Sequence, residues 1–123
     1  MMERKESPLQ IKSEAFTARI IKLNLYLQKN KNEQVISKQI YRSGTSIGAN
    51  IAESRNAQSP ADFVSKLSIA LKESEETVYW LKSLHNGGFL NDKEFNSIHN
   101  DNIELSKMLT SSILTIKKKI GKI

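Results

Sequence analysis

The stretch Arg42–Ser54 reads RSGTSIGANIAES and sets Gly44 and Gly48 four residues apart. Around them Ile36, Ile40, Ile47 and Ile51 recur on one stripe, the pattern of an amphipathic helix. A glycine inside a helix costs about 1 kcal/mol relative to alanine, so two in one helix call for a compensating contact. On a helical wheel Gly44, Gly48 and Ala52 form a strip beside the isoleucines, and Ser46, Asn50 and Glu53 form a polar flank on the other side. A flank without side chains lets a second helix approach closely, as small-xxx-small spacing does elsewhere. The competing reading is a kink, with Gly44 ending one helix and Ser46 capping the next. The isoleucine period passes through without a phase break and favours the continuous helix.

Working outward, glycine and proline are scarce and fall between periodic segments. Ser7-Pro8 starts a first helix with Leu9, Phe16, Ile20, Leu23 and Leu27 on one seam, and Asn30–Asn32 interrupts it. The glycine helix is expected from about Glu33 to Ala57. Ser59-Pro60 with Asp62 opens a third helix, whose seam is Phe63, Leu67, Ala70, Ser74, Val78 and Leu81; Gly87-Gly88 ends it. Asn91 and Glu94 cap a fourth, with Ile98, Asn102, Leu105, Leu109, Ser112 and Ile116 on its seam. Short loops make neighbours antiparallel, so the expected fold is all-α. It is a single up-down-up-down four-helix bundle over residues 1–123, with flexible ends at 1–7 and 119–123. Further apolar stripes, Ile11, Ala18, Ile21 and Leu25 on the first helix and Ile103, Ile113, Leu114 and Ile120 on the fourth, exceed what one core needs. They predict a homo-oligomer.

No apolar run is long enough to span a membrane. The N-terminus, MMERKESP, lacks an apolar segment behind its charges and is not read as a secretory signal. With no cysteine in the 123 residues, disulfides and thiolate metal sites are excluded and a cytoplasmic location is expected. The net charge is +6, which favours polyanionic partners. It is unevenly spread. Residues 1–60 carry ten Lys/Arg against five Asp/Glu, residues 61–108 carry five against eight, and ILTIKKKIGKI at the end is basic throughout. The cations expected to meet phosphate are Lys38, Arg42, Arg55, Lys117, Lys118, Lys119 and Lys122. Few aromatic residues are interleaved with them, so no base-stacking platform is expected.

Catalytic patterns are few. His85 and His99 have no acid at metal-ligand spacing, and neither Glu-x-x-His nor His-Glu-x-x-His occurs. No metal site and no cofactor are expected. Glu73 and Glu76, with Glu53 reaching across, are the one cluster suited to a magnesium-dependent nucleotide hydrolase. Ordinary ion pairing with Lys72 or Arg42 is the favoured account of it. Ser46, Asn50 and Glu53 read best as a buried polar network fixing helix register, with Glu53 meeting Arg42, Ser74 or Thr77.

Ser46-Ile47-Gly48-Ala49-Asn50-Ile51-Ala52-Glu53 and the later run SPADFVSKLSIALKESEETVYWLKSLHNGGFL resemble the 23S rRNA intervening sequence protein (S23) family. The second motif is carried by Asp62, Phe63, Lys66, Leu67, Ile69, Ala70, Ser74, Glu76, Thr77, Tyr79, Trp80 and Leu81. The chain departs from the pattern at Ser54-Arg55, where glycine is common. The resemblance covers the middle half of the chain and implies a bacterial-type four-helix bundle encoded within an rRNA insertion. It also implies kinship with the accessory protein of diversity-generating retroelements, a basic pentamer that engages a reverse transcriptase and nucleic acid. The function expected is a non-enzymatic, basic, pentameric scaffold that binds RNA or a reverse-transcriptase-like protein. The alternatives are a protein–protein adaptor with incidental charge and the magnesium-dependent hydrolase.

Overall fold

The computed structural model describes residues 7–121 and contains four helices: α1 (Pro8–Asn30), α2 (Ile36–Ser54), α3 (Pro60–Asn86) and α4 (Asp92–Lys119). Each connection is five residues long, 31–35, 55–59 and 87–91. Cross-helix contacts set the directions. Gly44 faces Ile20 and Gly48 faces Thr17; Ser43 meets Thr77 and Glu53 meets Lys66; His85 meets Asp92 and Ser74 meets Asn102; Arg19 meets Asp101 and Tyr26 meets Glu94. In every pair one number rises as the other falls, so all four neighbouring pairs are antiparallel. The N-termini of α1 and α3 therefore share one end of the bundle with the C-termini of α2 and α4.

The helix ends follow local chemistry. Ser7 and Ser59 accept from the backbone N–H groups of Gln10 and Asp62, with proline next in the chain. Asp62 reaches back to the N–H of Gln58 at 3.1 Å. Asn91 and Glu94 form a reciprocal capping box. At the end of α3 the N–H of Phe89 bonds Leu84 O and that of Gly88 bonds His85 O, a Schellman ending that puts Gly88 at φ 85°.

α2 is shorter than the expected 33–57. At its start the buried Glu33 turns its carboxylate onto the N–H groups of Val35, Ile36 and Ser37 at 3.2, 3.0 and 2.7 Å. Glu33 thus caps the helix from outside it. At its end Arg55, Asn56 and Ala57 bond three residues back, tightening the last turn into 3₁₀ geometry. The expected loose ends at 1–7 and 119–123 fall mostly outside the described residues; Ser7 is a helix cap and Lys119 the last residue of α4.

The core holds Phe16, Ile20, Leu27, Ile40, Ile47, Ile51, Leu67, Leu81, Leu84, Leu105 and Leu109 among its fully buried side chains. Two seam assignments shift. On α3 Thr77 is buried and Val78 only partly so, because the Thr77 hydroxyl bonds Glu73 O and meets Ser43 Oγ at 2.9 Å. On α4 Ile113 takes the inward place and Ser112 is half-buried. The glycines sit on the α1 side of an unbroken α2. A Cβ at Gly44 would lie 2.8–2.9 Å from three side-chain atoms of Ile20, and one at Gly48 would lie 2.7 Å from Thr17 Oγ1.

Ile20 is fully buried and, being β-branched, has little rotamer freedom in a helix. Gly44→Ala therefore forces the two helices apart. The expected outcome is a net destabilisation of about 1–2 kcal/mol, overpacking outweighing the propensity gain. A lowered urea midpoint with an unchanged slope would show it; a stabilised variant would mean that the contact yields freely.

Candidate nucleic-acid interface

The sequence-derived cations separate into three groups. Lys38 is exposed near the start of α2, about 26 Å from Arg55 at 1.5 Å per residue. Arg42 spans the α2–α3 seam, with Glu73 at 3.2 Å and Glu76 on its other guanidinium nitrogen. Arg55 and Lys117–Lys119 meet at the end shared by the N-termini of α1 and α3. Lys122 lies outside the described residues.

At that end lies a cleft of about 650 Å³. Its walls include Leu9, Ile51, Phe63 and Ile116, with Arg55 and Lys119 among the lining side chains. Among the described residues, none that lines it is acidic. The Arg55 guanidinium donates to the side-chain oxygen of Gln10, which ties the α2 terminus to α1. Lys117, Lys118 and Lys119 form the last turn of α4, where positive charge also suits the helix dipole.

The carboxylates are occupied elsewhere. Trp80 Nε1 donates to Glu76 at 3.1 Å, and this bond together with Arg42 holds the Glu76 carboxyl below its ordinary range. Burial pushes Asp101 up, but Arg19, at 2.7 Å, and Lys12 outweigh it and hold Asp101 low. Lys12 also bridges to Glu104 at 3.0 Å. Glu73 and Glu76 pair with Arg42, the ion-pairing account that the sequence favoured over a magnesium site. Glu53 is exposed and pairs with Lys66 at 3.5 Å, apart from Glu73 and Glu76, and no three His, Cys, Asp or Glu among the described residues gather as a metal site.

The expected Ser46–Asn50–Glu53 network is also corrected. Ser46 Oγ bonds Arg42 O and Asn50 Nδ2 bonds Ser46 O, both within α2, while Glu53 turns to solvent. The buried cross-helix network lies one seam away. Ser74 Oγ donates to Asn102 Oδ1 at 2.6 Å and lies 2.5 Å from Ser106 Oγ, so Ser106 supplies the proton of that second contact. Its signal was the polar Asn102 and Ser74 on otherwise apolar seams. Trp80 is half-buried, and Tyr79, edge-on to it, is 63% exposed.

At the opposite end His85, Phe95 and His99 stack face to face, with centroids 4.5 and 4.7 Å apart. His85 Nε2 meets Asp92 at 2.6 Å, whereas the buried His99 Nε2 has no partner.

The architecture is that of an all-α bundle with lysines and an arginine gathered at one end. The chain belongs to the 23S rRNA-intervening sequence protein family, whose family model matches residues 5–111. The crystal structure of a protein of unknown function from the S23 ribosomal protein family of Bacteroides thetaiotaomicron VPI-5482 superposes with a TM-score of 0.85. It is 50% identical, over 85% of this chain and 97% of that one. No curated protein matches the chain. Among the described residues no helix is long and apolar enough to cross a membrane.

Burial, and then Lys82, hold the His99 imidazole below the usual histidine range. The unfolded chain therefore takes up this proton at a higher pH than the folded one. The His99 contribution is fully present above about pH 6.5 and is lost as pH falls below it. Glu76 and Asp101 act in the same direction only below their ordinary values of 4.5 and 3.8. Urea midpoints measured from pH 7.5 to 5.5 are expected to fall for the wild type and to fall less for His99→Phe. Equal slopes in the two proteins would rule out His99 as the source.

Proposed function

We propose that this protein is a non-enzymatic scaffold that binds RNA through the basic end, presented on a homo-oligomer. The supporting observation is the gathering of Arg55 and Lys117–Lys119 at one end of the bundle, where Arg55 and Lys119 line a cleft with no acid among its described lining residues. Four cations gathered at one end engage phosphates without reading sequence. Lys38 and Arg42 take a lesser part, the first because of its distance and the second because two carboxylates already hold it. The oligomer, five copies by family resemblance, repeats the basic end and raises avidity. Ile11, Ile21 and Leu25 on the outer side of α1 are 54%, 40% and 46% exposed, an apolar stripe suited to burial between copies.

The same stripe favours the second reading, a protein–protein adaptor in a cytoplasmic assembly, of which a reverse-transcriptase-like enzyme is one possible partner class. Salt dependence separates the two readings. Fluorescence anisotropy of labelled RNA is expected to give about micromolar binding at low salt. The log–log slope should be about −3 for four phosphates on a single strand, and Lys117→Gln, Lys118→Gln and Lys119→Gln together should flatten it by about two units. Absence of binding at low salt would leave the adaptor reading.

Assembly is checked separately by light scattering. The wild type is expected to run as an oligomer. Ile21→Glu with Leu25→Glu is expected to run as a monomer with unchanged helix content. A monomeric wild type would remove the scaffold from the proposal.

A further inference from the structure

The cleft at the basic end has a shape that simple phosphate binding does not require. Leu9, Ile51, Phe63 and Ile116 give it apolar walls between the helix ends, and Arg55 and Lys119 contribute positive charge. Its volume of about 650 Å³ falls within the range of small-molecule sites, about 300–1,000 Å³. The exposed Gln58 adds an amide with both donor and acceptor groups. Phe63 also lines an adjoining cleft that carries Lys107 and, among the described residues, again no carboxylate. The aromatic ring thus stands between two openings, each with its own cation. The groove between α1 and α4 differs, because Glu94 sits among its lysines.

Resting on the nucleic-acid reading above, we infer that this cleft receives one unstacked base of a single strand of RNA. The base lies against Phe63 and the aliphatic walls, and the flanking phosphates lie at Arg55 and Lys119. Charge complementarity favours a polyanion, and the apolar walls favour the flat face of a base over the sugar–phosphate chain. In a duplex every base is paired and stacked, so its backbone alone can approach; a single strand can turn one base out. In the linear sequence few aromatic residues lie among the lysines, so no stacking platform is evident there. Here the aromatic residue and the cations come from different helices.

Anisotropy with three labelled 12-residue probes tests this on the full chain: single-stranded oligouridylate, an abasic strand of the same length and charge, and a duplex. The single strand is expected to bind at least about fivefold tighter than the other two, with the abasic strand keeping its salt slope. Phe63→Leu preserves apolar packing and should weaken oligouridylate binding by about fivefold while leaving the abasic strand unaffected. Equal affinity for all three probes would overturn the base-binding inference and leave phosphate binding standing. Failure of every probe to bind would overturn both.

Discussion

The close approach of α1 and α2 at Gly44 and Gly48 is the constraint on which the rest of the bundle depends. With no side chain at Gly44, Ile20 packs onto the backbone of α2 and is completely buried. That approach sets the rotation of α2. It turns Ile40, Ile47 and Ile51 inward and presents Ser43 to Thr77 on α3. It also leaves Arg42 on the outer edge, where it reaches Glu73 and Glu76. A single methyl group at Gly44 would be felt on three helices, because close-packed interiors transmit displacement rather than absorb it.

The same arrangement sorts the charges. Four acids of the third quarter of the chain are drawn into seams, Glu73 and Glu76 with Arg42 between α2 and α3, and Asp101 and Glu104 with Lys12 and Arg19 between α1 and α4. This neutralises the waist of the bundle. The cations at the α2 and α4 termini have no carboxylate lining the cleft beside them. The net +6 of the chain is thereby expressed locally. The membership of the family and the kinship with the Bacteroides protein define the fold to which this polarity belongs.

Much of the fold was legible in the sequence because its signals are local. Ser7-Pro8, Ser59-Pro60, Asn91 with Glu94, and Gly87-Gly88 each act within a turn of the residue that carries them. What escaped depends on rotation between helices. Thr77 and Val78 are adjacent and equally compatible with the α3 seam, and a hydroxyl partner on α2 decides between them. Glu53 has the right spacing for a buried network but faces outward. Glu33 fits the start of the helical pattern, although its carboxylate serves the helix from outside. The cleft was invisible for the same reason. Its walls come from all four helices, and only the closed bundle brings Leu9, Ile51, Phe63 and Ile116 together.

The hydroxyl-rich composition of these helices has a consequence for how the chain acquires its structure. Thr17, Thr45, Ser46, Thr77, Ser83, Thr110 and Thr115 each donate to a carbonyl four residues back in their own helix. Such side chains compete with helical geometry when a segment stands alone, and α2 adds two interior glycines to that burden. Individual helices are then poor kinetic seeds. Yet each consecutive pair is joined by a five-residue loop, a topology of low contact order that favours rapid folding. Such a chain is expected to search quickly and to form its helices as they dock rather than beforehand.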